Sequence, residues 1–126
     1  MIRVLEGLPD GLFGLEARGA VSADEIDDAM IAFAETARNR YNLALLLDFG
    51  PRTSLPDSSS DQSFYNRLEF RGPVRRVALV AAPEWERRLD KLLEVVGCEG
   101  QRFPPGQRKA AIAWLLRAVA DAESTP

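Results

Sequence analysis

Residues whose types suit chemistry follow one strongly apolar run of the chain. The run 43–47 is closed by Asp48, and Asp57, Ser58 and Ser59 come soon after it. An unbroken apolar run of this kind is typical of a strand buried on both faces, as in a parallel sheet. Because ligands and partners dock at the carboxyl ends of such strands, we expect Asp48 and the loop after it to form the working edge. A carboxylate here more commonly accepts backbone N–H bonds from a neighbouring turn or helix, which is the competing hypothesis for Asp48.

Apolar side chains gather at the same predicted edge. Phe49, Leu55, Phe64 and Tyr65 flank the loop and could line a groove for an apolar ligand or a protein surface. Such residues are more often part of the core, which is the alternative for each of them. The predicted ligand or partner edge comprises Asp48, Phe49, Leu55, Asp57, Phe64 and Tyr65.

The residues needed for common kinds of catalysis are missing from the sequence. It contains no histidine and a single cysteine, Cys98, so it lacks the usual base near neutral pH and cannot build a thiolate metal site. Neither a GxxxxGK[ST] loop nor a GxGxxG loop occurs. The neighbouring carboxylates Asp24, Asp27 and Asp28 are explained by a solvated helix surface. We therefore predict no enzyme, no metal site and no cofactor, although hydrolysis by paired carboxylates is only disfavoured.

Length and composition are those of one globular domain. The chain has 126 residues, of which 46% are hydrophobic and 28% charged, values ordinary for a domain with its own core. The net charge of -3 argues against nucleic acid as a partner, since phosphate binding needs a basic face. No apolar stretch forms a membrane span or a signal peptide. We predict a cytoplasmic protein with a single domain over 1–122 and a frayed tail over 123–126.

Turn and capping signals divide the chain into strands and helices. Segments 2–6 and 12–18 favour strands, and the turn sequence between them predicts an antiparallel hairpin. Ser22 and Glu25 have the spacing of a capping box that begins the first helix. The remaining predicted elements are a buried strand over 43–48, a short helix from Asp61 to the Gly72-Pro73 break, a strand over 74–81, a helix from Pro83 to Gly97, a short edge strand over 101–103 and a helix over 108–122. The order predicts an α/β fold, a mixed sheet of about five strands, mostly parallel after the hairpin, with about four helices.

Several of these segments together resemble the SpoIIAA-like family. The resemblance rests on the opening IRVLEGLPDG (2–11), on LLLDF (45–49), on VALV (77–80) with EWER (84–87) after it, and on the closing segment 110–115. This family lies in the STAS superfamily and is also grouped with CRAL-TRIO lipid-transfer domains. The resemblance covers the chain to about residue 117. It implies a small bacterial domain with a mixed sheet flanked by helices and no established biochemical activity.

The resemblance also implies a phosphoacceptor. In STAS anti-sigma factor antagonists, a strand ending in aspartate leads to an Asp-Ser-Ser-Gly motif at a helix start, where a serine accepts phosphate from a partner kinase. Asp57, Ser58 and Ser59 lie at nearly that place, with Ser60 where the motif has glycine. A phosphate at a helix N-terminus is stabilised by the dipole and free N–H groups, and its charge of about -1.5 to -2 repels an acidic surface. Ser58 and Ser59 are thus the candidate phosphoacceptors, and a solvated loop with a helix cap is the alternative.

Two functional hypotheses follow from the sequence. In the first, the chain is a non-enzymatic regulatory or scaffolding module that binds another protein and is switched by phosphorylation in the loop 54–60. In the second, it carries or senses a small apolar or lipid-like ligand at the carboxyl edge of the sheet. We favour the first, and expect that the protein can form a homodimer through an exposed strand or helix face.

Overall fold

Five strands form one mixed sheet. The computed structural model describes residues 1–38, 43–50, 52–54 and 74–124, with side chains to residue 117 except 95 and 96. The strands, which lie in sequence order across the sheet, are β1 (Ile2–Val4), β2 (Leu12–Ala17), β3 (Leu43–Phe49), β4 (Val74–Val80) and β5 (Glu99–Phe103). β1 runs antiparallel to β2, and every later pairing is parallel. The predicted hairpin and the predicted parallel remainder are both confirmed.

The strands β2 and β3 are buried on both faces. Every residue of β2 is buried, and in β3 only Phe49, at its carboxyl end, is half-buried. β2 lies between β1 and β3, and β3 lies between β2 and β4, so neither strand has a free edge. Glu16 is the register partner of Asp48, and both stand near the carboxyl ends of their strands. The apolar run 43–47 therefore has the role that its composition predicts.

Three α-helices in the described part of the chain cover the two faces of the sheet. They are α1 (Ala23–Ala37), α2 (Glu86–Val96) and α3 (Arg108–Ser124), and a 3-10 turn over Pro83–Trp85 precedes α2. α1 and α2 pack on one face, and α3 packs on the other. The predicted capping box begins α1: Glu25 N–H donates to Ser22 Oγ and Ser22 N–H donates to Glu25 Oε1, each at 3.1 Å. None of the described helices is long and apolar enough to cross a bilayer.

Small residues let α3 approach the centre of the sheet. On that face β3 presents Ala44 and β4 presents Ala78, and both contribute to the core with Ala111 of α3. Further along α3, the ring of Trp114 lies 5.9 Å from that of Phe103 and under the guanidinium of Arg76 at 4.6 Å. This packing fixes α3 across β3 and β4 and brings its first turn over their carboxyl ends.

Element boundaries differ from the sequence predictions in a few places. The helix predicted from Pro83 begins as a 3-10 turn and becomes α-helical at Glu86. Gly97 ends it with φ 78°, a conformation that favours glycine. The edge strand predicted over 101–103 begins at Glu99, because its pairing with β4 extends further back than its side-chain pattern indicates. The short helix predicted from Asp61 lies outside the described residues.

Candidate functional site

Two mostly buried carboxylates lie side by side at the carboxyl ends of β2 and β3. The side chains of Glu16 and Asp48 are 10% and 11% exposed. They alternate along their strands with residues that face α1 and α2, so both project to the α3 side of the sheet. Two neighbouring negative charges in such a position require cations, because burying an unpaired charge is costly. Arginines supply those cations from three different segments of the chain.

Arg108, the first residue of α3, joins the two carboxylates. Its Nε donates to Asp48 Oδ2 at 2.7 Å, and its Nη2 donates to Glu16 Oε2 in a close ion pair. A cation at the first residue of a helix meets the positive end of the helix dipole, and the first turn of α3 has no acidic residue. The strand carboxylates therefore stabilise this cation, and the bridge fixes the start of α3 over the ends of β2 and β3.

Arg3 and Arg18 complete the group of charges. Arg3 Nε donates to Glu16 Oε1 at 2.9 Å. Arg18 places Nη2 3.4 Å from Glu16 Oε2 and Nη1 3.6 Å from Asp48 Oδ1. We call these residues the carboxyl-edge cluster: Arg3, Glu16, Arg18, Asp48 and Arg108. The cluster has one more positive charge than negative, although the whole chain is acidic.

The neighbours of Glu16 keep it ionised. Burial raises the pKa of Glu16, but the hydrogen bond from Arg108 and the charges of Arg18 and Arg3 outweigh it and hold this pKa below its ordinary value. For Arg108, burial lowers the pKa, whereas the hydrogen bonds to Asp48 and Glu16 raise it above its ordinary value. Glu16 and Arg108 are thus both charged at neutral pH. A carboxylate held in this state is a poor proton donor, so Glu16 is suited to holding the structure rather than to acid catalysis.

The backbone after β3 is tied to the segment after β2. Arg18 Nη1 donates to Ala17 O at 2.8 Å and to Asp48 O at 3.1 Å. The Arg18 side chain crosses Gly50, where a Cβ would lie 2.5 Å from its Cδ and Nε. Thr53 Oγ1 donates to Gly50 O at 2.7 Å and lies 3.1 Å from Ala17 O, so the two carbonyls share one hydroxyl. Gly50 therefore allows Arg18 to pass close to the backbone, and the start of the loop is held against β2.

Residues 52–54 continue this attachment. Ser54 N–H donates to Gly19 O, and Val21 N–H donates to Ser54 O, both at 2.9 Å. Arg52 is exposed and has φ 64°, a left-handed conformation that glycine adopts at lower cost. A non-glycine residue held in this conformation at a strand end is a reason to examine its side chain for a role. The predicted serine loop thus starts from a fixed base that presents Arg52 to solvent.

An aromatic pair lies at the same edge on the opposite face of the sheet. Phe49 ends β3, and its ring meets that of Trp85 edge to face, with centroids 5.0 Å apart. Both side chains are half-buried, and the guanidinium of Arg88 lies 5.2 Å from the Trp85 ring. Phe49 therefore packs partly into the core and partly at the surface of the edge.

The structure describes only part of the predicted site. Asp48 and Phe49 lie at the carboxyl edge, close to Gly50 and the base of the loop. The other residues of the predicted site lie outside the described residues: Leu55, Asp57, Ser58, Ser59, Phe64 and Tyr65. Among the described residues, the side chain of Asp48 contacts arginines. The competing hypothesis for Asp48 gave its carboxylate backbone N–H partners from a turn or helix. The partners described here are arginine side chains instead.

Four residues of the cluster, Arg3, Glu16, Arg18 and Arg108, were not predicted from the sequence. Glu16 was assigned to a hairpin strand, and nothing in its alternation shows that a second neighbour, β3, buries it. Arg108 follows Glu16 by 92 positions, so their contact depends on the fold. The one available signal was Arg18, a cation at the last position of a predicted strand.

Among the described residues, the one cysteine is unreactive and no cluster of ligands for a metal ion is found. Burial and the charge of Glu99 raise the pKa of the Cys98 thiol to about 11, so this thiol is protonated and unreactive at neutral pH. Within the described ranges, no group of three acidic, cysteine or histidine side chains could hold a metal ion.

Comparisons with known proteins agree on one family and fold. A family model described as SpoIIAA-like matches residues 12–116. Among solved structures, the chain is similar to an uncharacterized protein of the DUF3478 family from Shewanella loihica PV-4, described as having a SpoIIAA-like fold. The two are 16% identical, the match covers 91% of this chain and 92% of that one, and the TM-score is 0.64. At this identity the likeness shows the fold alone. A search of curated proteins finds no match.

Proposed function

The chain belongs to the SpoIIAA-like family of the STAS type, and from this premise we propose that it is a non-enzymatic module that regulates or assembles other proteins. The proposed binding surface is the carboxyl edge of β2 and β3, with the loop that follows β3. We further propose that the module acts in the cytoplasm. These proposals keep the first of the two hypotheses drawn from the sequence.

The observation that carries the proposal is the bridge from Arg108 to Glu16 and Asp48. Both carboxylates are engaged by arginines, and Glu16 is held ionised, so neither is an evident acid or base for a reaction. The same cluster instead fixes the start of α3 and, through Arg18, the start of the loop after β3. A rigid base that presents a loop is what protein recognition requires, because preorganisation lowers the entropic cost of binding.

The proposed switch is phosphorylation of Ser58 or Ser59. Addition of a phosphate would bring a charge of about -1.5 to -2 to a loop whose base presents the exposed Arg52. A partner that meets this edge through an acidic surface would then be repelled. The proposal thus predicts that the unmodified protein binds and that the phosphorylated protein releases its partner.

Affinity capture with switch variants tests the proposed function. Wild type, S58A/S59A and S58D/S59D are immobilised at equal amounts, and proteins retained from native lysate are quantified by mass spectrometry. We expect one protein to be retained by wild type and by S58A/S59A, and to fall at least about tenfold with S58D/S59D, as loss of a charge-assisted contact predicts.

A matched variant separates position from net charge. A34D/T36D adds the same two charges at exposed positions of α1, away from the carboxyl edge, and should retain the protein like wild type. Equal retention by all variants would contradict the switch. The proposed interaction would itself be contradicted if wild type retains nothing beyond what a chain with R52E retains.

The second hypothesis, an apolar ligand at this edge, is supported by the Phe49–Trp85 pair. Half-buried aromatic rings are common in ligand sites, and these rings lie beside the loop. With Trp114 replaced by phenylalanine, Trp85 is the single tryptophan and its fluorescence reports on this edge. Titration with a long-chain fatty acid should shift its emission and raise the melting temperature if this hypothesis holds. An unchanged spectrum, with native mass spectrometry showing no bound molecule, would count against it.

A further inference from the structure

The outer strand β1 leaves backbone groups open on a second surface. Arg18 N–H donates to Met1 O, and Leu5 N–H donates to Gly14 O. In an antiparallel pair such bonds recur at alternate residues, so the backbone groups of Ile2 and Val4 point away from β2. In the part of the chain that the structure describes, β2 is the one strand beside β1.

Only one of these outward groups has a described partner. Ile2 N–H donates to Glu25 Oε2 of α1 at 2.8 Å. Within the described ranges, the N–H and carbonyl of Val4 and the carbonyl of Ile2 have no hydrogen bond beyond the strand. The Val4 side chain is 39% exposed, which is high for a large apolar residue. The edge therefore offers three backbone groups and an apolar side chain to an extended segment.

A narrow acidic cleft runs beside this edge. It lies between β1 and α1, has a volume of about 160 Å³, and is lined by Ile2, Arg3, Val4, Glu25, Asp28 and Ala29. Its volume is below that of sites for drug-sized ligands and suits individual side chains. The Arg3 guanidinium pairs with Glu16 of the carboxyl-edge cluster, and the Glu25 carboxylate lies 3.6 Å from the N-terminal ammonium, so the charge left facing the cleft is the carboxylate of Asp28. Asp24, one turn earlier on α1, is exposed as well.

We propose that β1 and the first turns of α1 bind an extended basic segment of a protein partner, which adds to the sheet beside β1. The residue of this segment that lies opposite Val4 exchanges backbone hydrogen bonds with Val4. Every second side chain of the segment faces α1. Lysine or arginine at these positions meets Asp28. A second copy of this chain fits less well, because two-fold pairing through β1 would bring the acidic turns of α1 together. This segment binds the outer edge of β1 and the first turns of α1 rather than the loop after β3, so the inference goes beyond the proposed function.

Nuclear magnetic resonance with a defined probe tests the proposal. The probe is a short synthetic peptide of alternating lysine and valine with blocked ends, titrated into the full-length, ¹⁵N-labelled protein. We expect the largest shifts at the amides of residues 2–5 and 24–29. Asp28→Lys should weaken binding at least about tenfold, because it replaces an attractive charge by a repulsive one. Glu35→Lys makes the same charge change near the other end of α1 and should alter the affinity less than about twofold.

Variants of the peptide distinguish strand addition from charge attraction alone. Replacing its lysines by glutamate should abolish binding, and N-methylation at alternate residues should also do so, because methylated nitrogens cannot donate to the strand. Equal weakening by Asp28→Lys and Glu35→Lys, shifts centred on residues 48–54, or no binding by wild type would each overturn the proposal. A protein that is dimeric through β1 in light scattering would overturn it in favour of a second copy. If lysate capture fails while the peptide binds here, the proposed function falls and this inference stands.

Discussion

Arg108 is the residue on which the carboxyl edge depends most. It reaches from the first turn of α3 to carboxylates on two adjacent strands, and so connects three elements with one side chain. A planar guanidinium suits this task, because its donors diverge in fixed directions and stay charged. Lysine has the charge but not this geometry. The cluster is therefore a positioning device whose parts are not interchangeable.

Replacement of Arg108 by alanine should destabilise the fold. Glu16 and Asp48 would lose one of the two arginines that they share, while Arg18 and Arg3 remain. We therefore expect a loss of about 2 kcal/mol, below the roughly 3–5 kcal/mol typical of breaking a fully buried pair. Equilibrium urea unfolding measures this loss. Arg117→Ala, at an exposed position of the same helix, is the matched control and should change stability by less than about 0.5 kcal/mol. Equal losses in the two variants would show that the bridge has no special role.

The lowered pKa of Glu16 predicts a specific dependence on pH. The unfolded chain binds a proton at Glu16 at a higher pH than the folded protein does, so stability falls as the solution is acidified from about pH 4.3 through the lower pKa of the folded state. Above this window the contribution of Glu16 is fully present. Urea unfolding of wild type and Glu16→Gln across the acid range checks it, because the variant should show the shallower slope. Identical slopes would contradict the assigned cause of the shift.

At the scale of elements, the carboxyl ends of β2 and β3 act as one unit with the loop between β3 and β4. Arg18 bonds the backbone of both strands, and Thr53 and Ser54 attach the loop to the segment after β2. The close passage of Arg18 over Gly50 makes this unit compact. A loop that binds a partner loses less entropy when its first residues are already held in place. The contacts of Arg18, Thr53 and Ser54 hold the first residues of this loop.

Gly50→Ala tests that arrangement. The added Cβ would push Arg18 aside, because it would lie 2.5 Å from the Arg18 Cδ, and the hydrogen bonds to Ala17 O and Asp48 O would weaken. We expect a loss of about 1 kcal/mol in unfolding free energy. In an Arg18→Ala background the same change should be neutral or stabilising, since alanine restricts the unfolded chain. A double-mutant cycle measures this coupling, and simple additivity would contradict the account.

The elements themselves are largely readable from the sequence, whereas the cluster is not. The apolar run 43–47, the capping box at Ser22 and the stop at Gly97 each specify an element through local chemistry. Asp48 marks the carboxyl end of that strand for the same reason. Glu16 and Arg108 meet only because β2 lies beside β3 and α3 crosses the face to which Glu16 projects. Periodicity gives the faces of each element but not its neighbours, so such a contact cannot be inferred from spacing.

At the scale of the whole molecule, the described charges form two groups of opposite sign. The carboxyl edge has an excess positive charge and the exposed Arg52, whereas the acidic turns of α1 lie beside the outer strand β1. The chain as a whole is acidic, so the positive edge is a local feature. The SpoIIAA-like family supports a regulatory or interaction module, and we propose these two groups of charges as its binding surfaces.

Replacement of Arg52 by glycine should have opposite effects on stability and on partner binding. Its φ of 64° costs about 1–2 kcal/mol for a residue with a Cβ, so Arg52→Gly should raise the unfolding free energy or leave it unchanged. If the side chain contacts a partner, the same variant should bind more weakly. Urea unfolding and lysate capture on one preparation measure the two effects. A destabilised variant with full binding would contradict both parts of this prediction.

Site-specific photo-crosslinking in cells tests most directly the central claim that the carboxyl edge binds a protein. A photoreactive phenylalanine analogue replaces Arg52 in one variant and Arg117, exposed on α3, in the other. We predict that irradiation yields a discrete protein adduct from position 52, that position 117 yields none, and that S58D/S59D abolishes it. Absence of an adduct from position 52, or an equal adduct from both positions, would contradict the claim.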